Sequence, residues 1–225
     1  MISDTTSKRD LSKELLEIYK KGCDAYEDDR VIEVEVNSWF TTHSEPPSQI
    51  FKIVFERSKD ETDYKTLLAF MYCLGIGTEI DKFEMFRYYL MAAEQGDPVA
   101  ANQAGWCFYD GVGTRKNPEK AFHWFQRSAY GGYALGLDAA NELGYCYQLG
   151  IGTRSNKYKS SLCYRTSAFG SYQVGKYNYA YSFHNGFRGS VDKHQAIYWY
   201  RRAFDCGYGD AKKQLDYLFK TMHLI

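Results

Sequence analysis

Residues 98–132, PVAANQAGWCFYDGVGTRKNPEKAFHWFQRSAYGG, decide the fold, because recognisable versions of this stretch stand before and after it. Its landmark is the glycine pair of Gly111-Val112-Gly113-Thr114. The pair returns as Gly75-Ile76-Gly77-Thr78 and Gly150-Ile151-Gly152-Thr153, with a looser copy at Gly186-Phe187-Arg188-Gly189-Ser190. The first glycines are 36, 39 and 36 residues apart. A fixed period of this size is typical of stacked helical repeats.

The columns of the repeat predict how its helices pack. Six residues before the first glycine there is a small residue, and three residues before it an aromatic one: Ala69, Gly105, Gly144 and Ala180, then Tyr72, Phe108, Tyr147 and Phe183. After the turn come the pairs Tyr88-Tyr89, Trp124-Phe125, Cys163-Tyr164 and Trp199-Tyr200. A small residue lies four residues after the first member of each pair. Rings can fill the space that small residues leave on a neighbouring helix. Each repeat is therefore expected to be two antiparallel helices joined by a turn whose glycines adopt positive φ.

These residues resemble the Sel-one-like repeat, a relative of the tetratricopeptide repeat, from about Asp63 onward. The matching positions are Gly105, Phe108, Gly111, Gly113, Lys120, Ala121, Trp124, Phe125, Ser128 and Ala129. In the fourth copy, Phe187-Arg188 places one extra residue between the two glycines. The resemblance implies an all-α fold, a right-handed α-solenoid of antiparallel helix pairs. It also implies a curved scaffold that binds other proteins, as in adaptors of protein degradation, activators of cell-wall synthases and kinase-linked signalling chains.

The chain is expected to divide into three segments. They are an N-terminal helical cap (1–60), four repeats (about 61–96, 97–132, 133–171 and 172–208) and a C-terminal capping helix (209–225). Within the cap, helices are expected at about 10–25, 31–43 and 47–57, the first one capped by Asp10. Residues 31–36 nearly alternate apolar and charged side chains, as in a strand, but a lone strand would have no partner. The three extra residues of the third repeat are expected in a loop at 133–137.

Composition limits the classes of partner. Hydrophobic residues make up 44% of the chain, and 28 basic residues balance 28 acidic ones. A nucleic acid or an anionic membrane recruited by bulk charge is therefore not expected. No apolar run approaches the ~20 residues of a membrane span, and the N-terminus has no hydrophobic signal core. Membrane insertion is not expected, and a cytoplasmic location is.

No catalytic, cofactor or metal site is predicted. The histidines are His43, His123, His184, His194 and His223, and no two have the spacing that puts two ligands on one helix face. His184 and His194 flank one turn and could meet in space, but no thiolate or carboxylate stands beside them at ligand spacing. The Gly-x-Gly-Thr turns follow no strand, so they are interpreted as helix ends rather than phosphate loops.

The cysteines are expected to be reduced. One branch of the resembling family is secreted and carries a disulfide in every repeat. Here Cys107 and Cys146 share one column, whereas Cys163 and Cys206 occupy different columns. Equivalent positions of stacked repeats lie about 8–10 Å apart, beyond the ~7 Å Cα separation that a disulfide spans. We therefore expect small buried residues in a reducing compartment, which argues against the penicillin-binding activity suggested for the secreted branch.

The sequence favours a noncatalytic adaptor that binds a protein segment on the concave face of the array. First helices line that face in related arrays. The candidates are first-helix residues outside the packing columns: Asn102, Gln103, Tyr109, Asn141, Glu142, Gln148, Tyr177, Asn178 and His184. Amides can pair with the polar groups of an extended peptide, and rings can cover its side chains.

Two other functions stay open. The first is a regulatory or activating subunit, or a homodimerising module, of a signalling or biosynthetic enzyme, with exposed contacts at Trp39, Phe40, Phe51 and Phe55. The second is an enzyme. It is the more remote alternative, because no pair of titratable groups stands out as acid and base.

Overall fold

A computed structural model describes residues 3–24, 29–43, 45–131, 136–169 and 172–222. These residues are organised as helices joined by short turns. The helices are α1 (Ser3–Asp24), α2 (Asp29–Thr42), α3 (Pro47–Arg57), α4 (Thr62–Leu74), α5 (Lys82–Glu94), α6 (Pro98–Asp110), α7 (Pro118–Gly131), α8 (Gly136–Leu149), α9 (Lys157–Ala168), α10 (Gln173–His184), α11 (Lys193–Asp205) and α12 (Asp210–Thr221). The all-helical prediction is confirmed, and α4 to α11 follow one another as sequential pairs.

Most predicted helix boundaries are confirmed to within two residues. The helix α3 begins at Pro47, where a missing backbone N–H has no helical partner to lose, and it ends at Arg57 as predicted. The helix α2 confirms the helical interpretation of residues 31–43. Asp10, however, is not the cap of α1, because that helix already begins at Ser3. Of the expected loop at 133–137, residues 133–135 lie outside the described residues and the last two belong to α8.

An equivalent backbone hydrogen bond closes the first helix of each of the four repeats. The amide of the residue after the first glycine donates to the carbonyl five residues earlier. The four pairs are Ile76 to Met71 (2.9 Å), Val112 to Cys107 (3.1 Å), Ile151 to Cys146 (3.0 Å) and Phe187 to Ser182 (2.9 Å). Gly75, Gly111 and Gly150 have φ of 74°, 79° and 78°, as the glycine prediction requires. The looser fourth turn thus keeps the same closing bond.

A second recurring bond comes from a column that the sequence analysis did not identify. An Asp or Asn six residues after each first glycine donates its backbone N–H to the carbonyl of the aromatic column. The pairs are Asp81 to Tyr72 (3.1 Å), Asn117 to Phe108 (2.7 Å), Asn156 to Tyr147 (2.7 Å) and Asp192 to Phe183 (3.0 Å). The side chains of these residues also accept N–H groups of the following helix, as N-caps. Since the six-residue spacing holds in the fourth repeat, the extra residue there displaces only the second glycine.

The small and aromatic columns pack as predicted. Ala69, Ala180, Ala92 and Ala203 have no exposed surface. A Cβ added at Gly144 would lie 2.7 Å from the ring of Tyr164, so only glycine fits that position without movement. The columns are therefore packing positions.

The chain separates into two compact units, residues 1–124 and 125–225, with the boundary inside α7. In unit 2 the core runs through α9 to α12 and includes Tyr164, Tyr179, Trp199, Tyr200 and Leu218. The predicted division into cap, four repeats and capping helix stays a prediction. In the described part of the chain, no helix combines the length and the apolar character that crossing a membrane requires.

The prediction that the cysteines are buried holds for only part of the set. The six cysteines, all of which lie in the described part of the chain, form no disulfide with one another, and Cys107 and Cys146 are buried. Burial raises the pKa of each of these two thiols to about 12. Cys206 is exposed, so the expectation of a buried side chain there is wrong. It follows the last residue of α11, where the chain turns toward α12 and nothing covers a small side chain.

Candidate functional site

The nine candidate residues lie on three first helices. Asn102, Gln103 and Tyr109 are on α6 in unit 1, and the other six are on α8 and α10 in unit 2. Asn141 is buried, with 5% of its surface exposed, and the other eight are half-buried. The candidates therefore lie at the margin of the packed interior rather than fully in solvent.

Asn141 joins the third repeat to the fourth. Its Oδ1 accepts a hydrogen bond of 2.8 Å from Nδ2 of Asn178, and its Nδ2 donates to Oε1 of Glu142 at 3.1 Å. Asn141 lies outside the packing columns of the repeat, but its amide also makes an internal contact, because it connects α8 to α10. Its role in binding a partner stays a prediction. Asn178 and Glu142 present the less buried part of this network.

Beside the amides lies a pair of carboxyl groups, Asp138 and Glu142, one turn apart on α8. Burial raises the pKa of Asp138 to about 7. Burial also raises the pKa of Glu142 to about 7, with the charge of Asp138 adding to the rise and the Asn141 hydrogen bond opposing it. Oδ1 of Asp138 is buried and accepts no hydrogen bond from the residues that the structure describes. The sequence analysis missed Asp138, although two carboxyls four residues apart on a first helix were the available signal.

The environment of this pair is aromatic. Burial is the main cause that raises the pKa of Tyr172, and the carboxyls of Asp138 and Glu142 contribute next. The phenol of Tyr164 has its pKa raised by burial, with a smaller contribution from Glu142. Among the described residues, no basic side chain contributes to the shifted pKa of either carboxyl. The site therefore offers buried acceptor oxygens without a cation of its own.

Asn102 has the same repeat position as Asn141 but different surroundings. Both stand three residues before the small residue of their repeat, Gly105 or Gly144. Oδ1 of Asn102 is buried and has no hydrogen-bond partner among the described residues. A buried acceptor without a donor costs free energy.

The aromatic candidates and Gln148 also make internal contacts. Gln148 accepts a hydrogen bond of 2.8 Å from the hydroxyl of Tyr164. The ring of Tyr177 lies 5.2 Å from that of Tyr200 and 4.9 Å from that of Tyr208. In unit 1, the ring of Tyr109 lies edge-on to Trp106 at 5.4 Å, with the ammonium of Lys116 5.2 Å from its centre. These candidates therefore also contact other side chains of the chain.

His184 belongs to an aromatic group instead of a metal site. Its ring stacks on Tyr217 at 5.9 Å and meets the edge of Tyr200 at 6.2 Å. Burial lowers the pKa of His184, and the charge of Lys193 lowers it further. Within the described ranges, no group of three or more His, Cys, Asp or Glu side chains could hold a metal ion.

The contacts expected on the N-terminal cap are not exposed. Trp39 is buried, with 7% of its surface exposed, and its ring stacks on His43 at 4.3 Å. Phe40, Phe51 and Phe55 are half-buried. The expectation of four exposed aromatic contacts is therefore wrong, because the short cap helices need these rings for their own packing.

Solved structures share the fold. The chain superposes on c5321, a protective antigen of uropathogenic Escherichia coli with an SLR fold. The TM-score is 0.72 and the sequence identity 25%, over 77% of this chain and 37% of c5321. A Sel1 repeat protein from Oxalobacter formigenes matches over 79% of this chain and 70% of the other, with a TM-score of 0.70 and 23% identity. The second likeness shows the fold alone.

Sequence comparison gives shorter matches and the family. The chain is 41% identical over 66 residues to Chitin synthase regulatory factor 2 of Schizosaccharomyces pombe, which is 29% of this chain and 13% of that protein. The match thus spans about an eighth of the relative's length. The Sel1 repeat model matches residues 65–97, 98–133, 137–168 and 174–208, the four repeats found from the glycine spacing. The helices in sequential pairs and the structural relatives agree with this match. The chain therefore belongs to the Sel1 repeat family, as a four-repeat helical solenoid.

Proposed function

We propose that this chain is a noncatalytic scaffold or adaptor that binds a protein segment on the concave face of its helical array, the face of the first helices. Sel1 repeat arrays are typically protein-binding modules. The observation that supports the proposal is that, within the described residues, one amide oxygen and one carboxyl oxygen on first helices are buried without a hydrogen-bond partner: Oδ1 of Asn102 and Oδ1 of Asp138. Both belong to first helices, one in each unit.

The chemistry of these oxygens selects a hydrogen-bond donor. Each can accept from a backbone N–H of an extended segment or from a basic side chain. In unit 2, Asn178 adds an amide group through its hydrogen bond to Asn141, next to Glu142. Gln148 adds another amide near the end of α8, and Tyr177 adds an aromatic surface. Within this unit, a segment that supplies N–H groups and one basic side chain would pair the acceptors of Asp138 and Glu142. The lack of disulfides among the cysteines, which all lie at described positions, fits a cytoplasmic location for such a complex.

The test compares three baits purified under native conditions: the unaltered chain, Asn102→Ala with Asp138→Asn, and a control with Lys212→Ala and Lys220→Ala on the exposed face of α12. Quantitative mass spectrometry identifies the proteins retained by the first and third baits, and binding of one such protein is then measured by titration. The first-helix variant is expected to bind at least about tenfold more weakly without a lower melting temperature. Equal affinity of all three baits would show that the first-helix face is not the binding surface.

A regulatory subunit is the second candidate. It is favoured by the similarity to a protein whose name describes it as a regulatory factor of a chitin synthase. In this case the bound segment would belong to a biosynthetic enzyme. Adding the purified chain to such an enzyme should change its rate, and the Asn102→Ala, Asp138→Asn variant should not. An enzyme whose rate is unaffected by saturating chain would exclude it as the target.

A further inference from the structure

The balanced total charge hides opposite charges on the two units. Unit 2 contains 13 of the 28 basic residues but only 6 of the 28 acidic ones, so its formal charge is +7. Unit 1 contains the remaining 15 basic and 22 acidic residues and has a formal charge of −7. A charge difference of this size between two parts of one chain points to an interaction surface, which on unit 2 would be positively charged.

Within unit 2, one face of α9 combines positive charge with exposed apolar surface. Tyr158, Leu162, Arg165 and Phe169 follow one another at helical spacing, so they share one side of the helix and its C-terminal end. Tyr158 is 54% exposed, Leu162 36% and Phe169 70%. The sequence of α9 contains two lysines and one arginine and no acidic residue.

The face continues onto α11 through ring contacts. Phe169 lies edge-on to Trp199, with ring centres 5.7 Å apart. The guanidinium of Arg165 lies 5.7 Å from the ring of Phe169, and that of Arg202 lies 5.6 Å from the ring of Trp199. Arg202 also donates a hydrogen bond of 2.8 Å to the hydroxyl of Tyr198. We call these five residues, Arg165, Phe169, Trp199, Arg202 and Tyr198, the cation–aromatic ladder.

Among the described residues, neither arginine of the ladder forms an ion pair with a carboxylate. A guanidinium that lies beside a ring keeps N–H groups that can donate to a carboxylate. The ladder therefore presents two guanidinium groups next to the exposed rings of Phe169 and Tyr198.

We propose that the α9–α11 face is a second docking surface, distinct from the first-helix site, and that its partner is an acidic protein segment with apolar side chains. Carboxylates of the segment bind the edges of Arg165 and Arg202. Its apolar side chains cover the exposed side chains of Leu162, Phe169 and Tyr198. Charge complementarity with a unit of charge +7 favours such a segment over a neutral one.

The apolar residues argue against the other anionic partners. Unpaired nucleic-acid bases stack on aromatic rings but leave an aliphatic side chain such as Leu162 uncovered. A bilayer surface requires a broad apolar face that enters the acyl region. Here Leu162 is the one aliphatic member, and the exposed rings lie among arginines. A segment that alternates acidic and apolar side chains fits both components of the face.

The experiment measures fluorescence anisotropy of labelled probes with the full chain. The first probe is a synthetic peptide in which Glu and Leu or Phe recur one helical turn apart. The second has the same charge with Ser at every apolar position. Oligouridylate and vesicles that contain phosphatidylserine are the third and fourth. The chain is expected to bind the first probe about tenfold more tightly than the second, and to bind it more weakly as salt concentration rises.

Two charge-reversed variants locate the binding. Arg165→Glu with Arg202→Glu removes the ladder cations, whereas Lys212→Glu with Lys220→Glu changes the charge of unit 2 by the same amount on α12. The first is expected to lose at least about tenfold in affinity for the acidic–apolar peptide, and the second much less. Equal losses would reduce the effect to bulk charge and overturn the proposal. So would the absence of peptide binding, or tighter binding of oligouridylate or vesicles than of the peptide. Circular dichroism of both variants confirms that they are folded.

Discussion

Nδ2 of Asn178 donates a hydrogen bond of 2.8 Å to Oδ1 of Asn141, so that two side-chain amides connect the first helices of the third and fourth repeats. Asn102 occupies the same repeat position as Asn141, yet its Oδ1 is buried without a partner. One sequence column therefore contains a packing residue in one repeat and an unused acceptor in another.

This difference predicts opposite outcomes for two equivalent substitutions. Asn141→Ala should lower the free energy of unfolding by about 1–3 kcal/mol, because it leaves the amide of Asn178 half-buried without its acceptor. Asn102→Ala should change it by less than about 0.5 kcal/mol, since it removes an acceptor that has no internal donor. Urea denaturation followed by circular dichroism measures both. Similar losses in the two variants would contradict the assignment.

The pair Asp138 and Glu142 predicts that stability falls as pH rises. Both carboxyls have a pKa raised to about 7 in the folded chain, against about 4 in an unfolded one. The folded state then holds more protons, so this stabilisation is complete below about pH 4 and is lost as pH rises through 7. The melting temperature of the unaltered chain should be lower at pH 8 than at pH 5.5.

The control for this pH effect is Asp138→Asn, which keeps the shape of the side chain and removes its titration. The variant should lose part of the decrease in melting temperature between pH 5.5 and pH 8. His184, whose pKa is lowered, acts in the opposite sense but is present in both proteins, so it cancels in the comparison. A variant with the same pH dependence as the unaltered chain would show that Asp138 does not titrate in this range.

The two glycines of one turn should differ in their tolerance to alanine. Gly111 and Gly113 have similar φ, 79° and 68°, so a Cβ is strained at either position by about 1–2 kcal/mol. At Gly111 the nearest atom to an added Cβ is the backbone nitrogen of Lys116 at 3.2 Å. At Gly113 an added Cβ would collide with the carbonyl oxygen of Lys82. Gly113→Ala should therefore cost at least about 2 kcal/mol more than Gly111→Ala in urea denaturation. Equal costs would mean that the backbone at Lys82 moves aside freely.

The thiols should react in an order set by burial. Cys206 is exposed, whereas Cys107 and Cys146 are buried with the pKa of each raised to about 12. Since the thiolate is the nucleophile, iodoacetamide at pH 8 should label Cys206 well before the other two. Peptide mass spectrometry after a timed quench measures the order, and labelling in guanidinium should remove the difference. Early labelling of Cys107 in the folded chain would contradict its burial.

The repeat itself could be predicted from the sequence because its chemistry is local. A helix that ends in Gly111 or Gly150 needs a residue with positive φ at that position, and few residues other than glycine adopt it at low cost. The small residue Gly144 and the ring of Tyr164 belong to one repeat, so their contact follows from helix periodicity. The capping column of Asp81 and Asn117 is equally local, because it lies six residues after each first glycine.

The candidate site was only partly predictable. Spacing placed Asn141 and Asn178 on first helices, but it could not distinguish an amide used in packing from one left open, because that depends on the facing helix. Nor did it show that Trp39 is covered, since α1, which contacts the helix of Trp39, is about 20 residues away in sequence. The charges that sum to +7 on unit 2 can be counted in the sequence. The boundary between the two units, however, is known only from the folded chain.

The sequence by itself determined the number of repeats, the turn at the end of each first helix and the residues that fill the space between paired helices. Each of these depends on contacts within about three dozen residues, where period and side-chain size are sufficient. Tertiary structure alone decided which polar groups are satisfied, as in Asn141 against Asn102, and which side of α9 stays uncovered. The physical reason is that solvent exclusion and hydrogen-bond pairing depend on the residues that face each other across elements, and a one-dimensional pattern does not specify them.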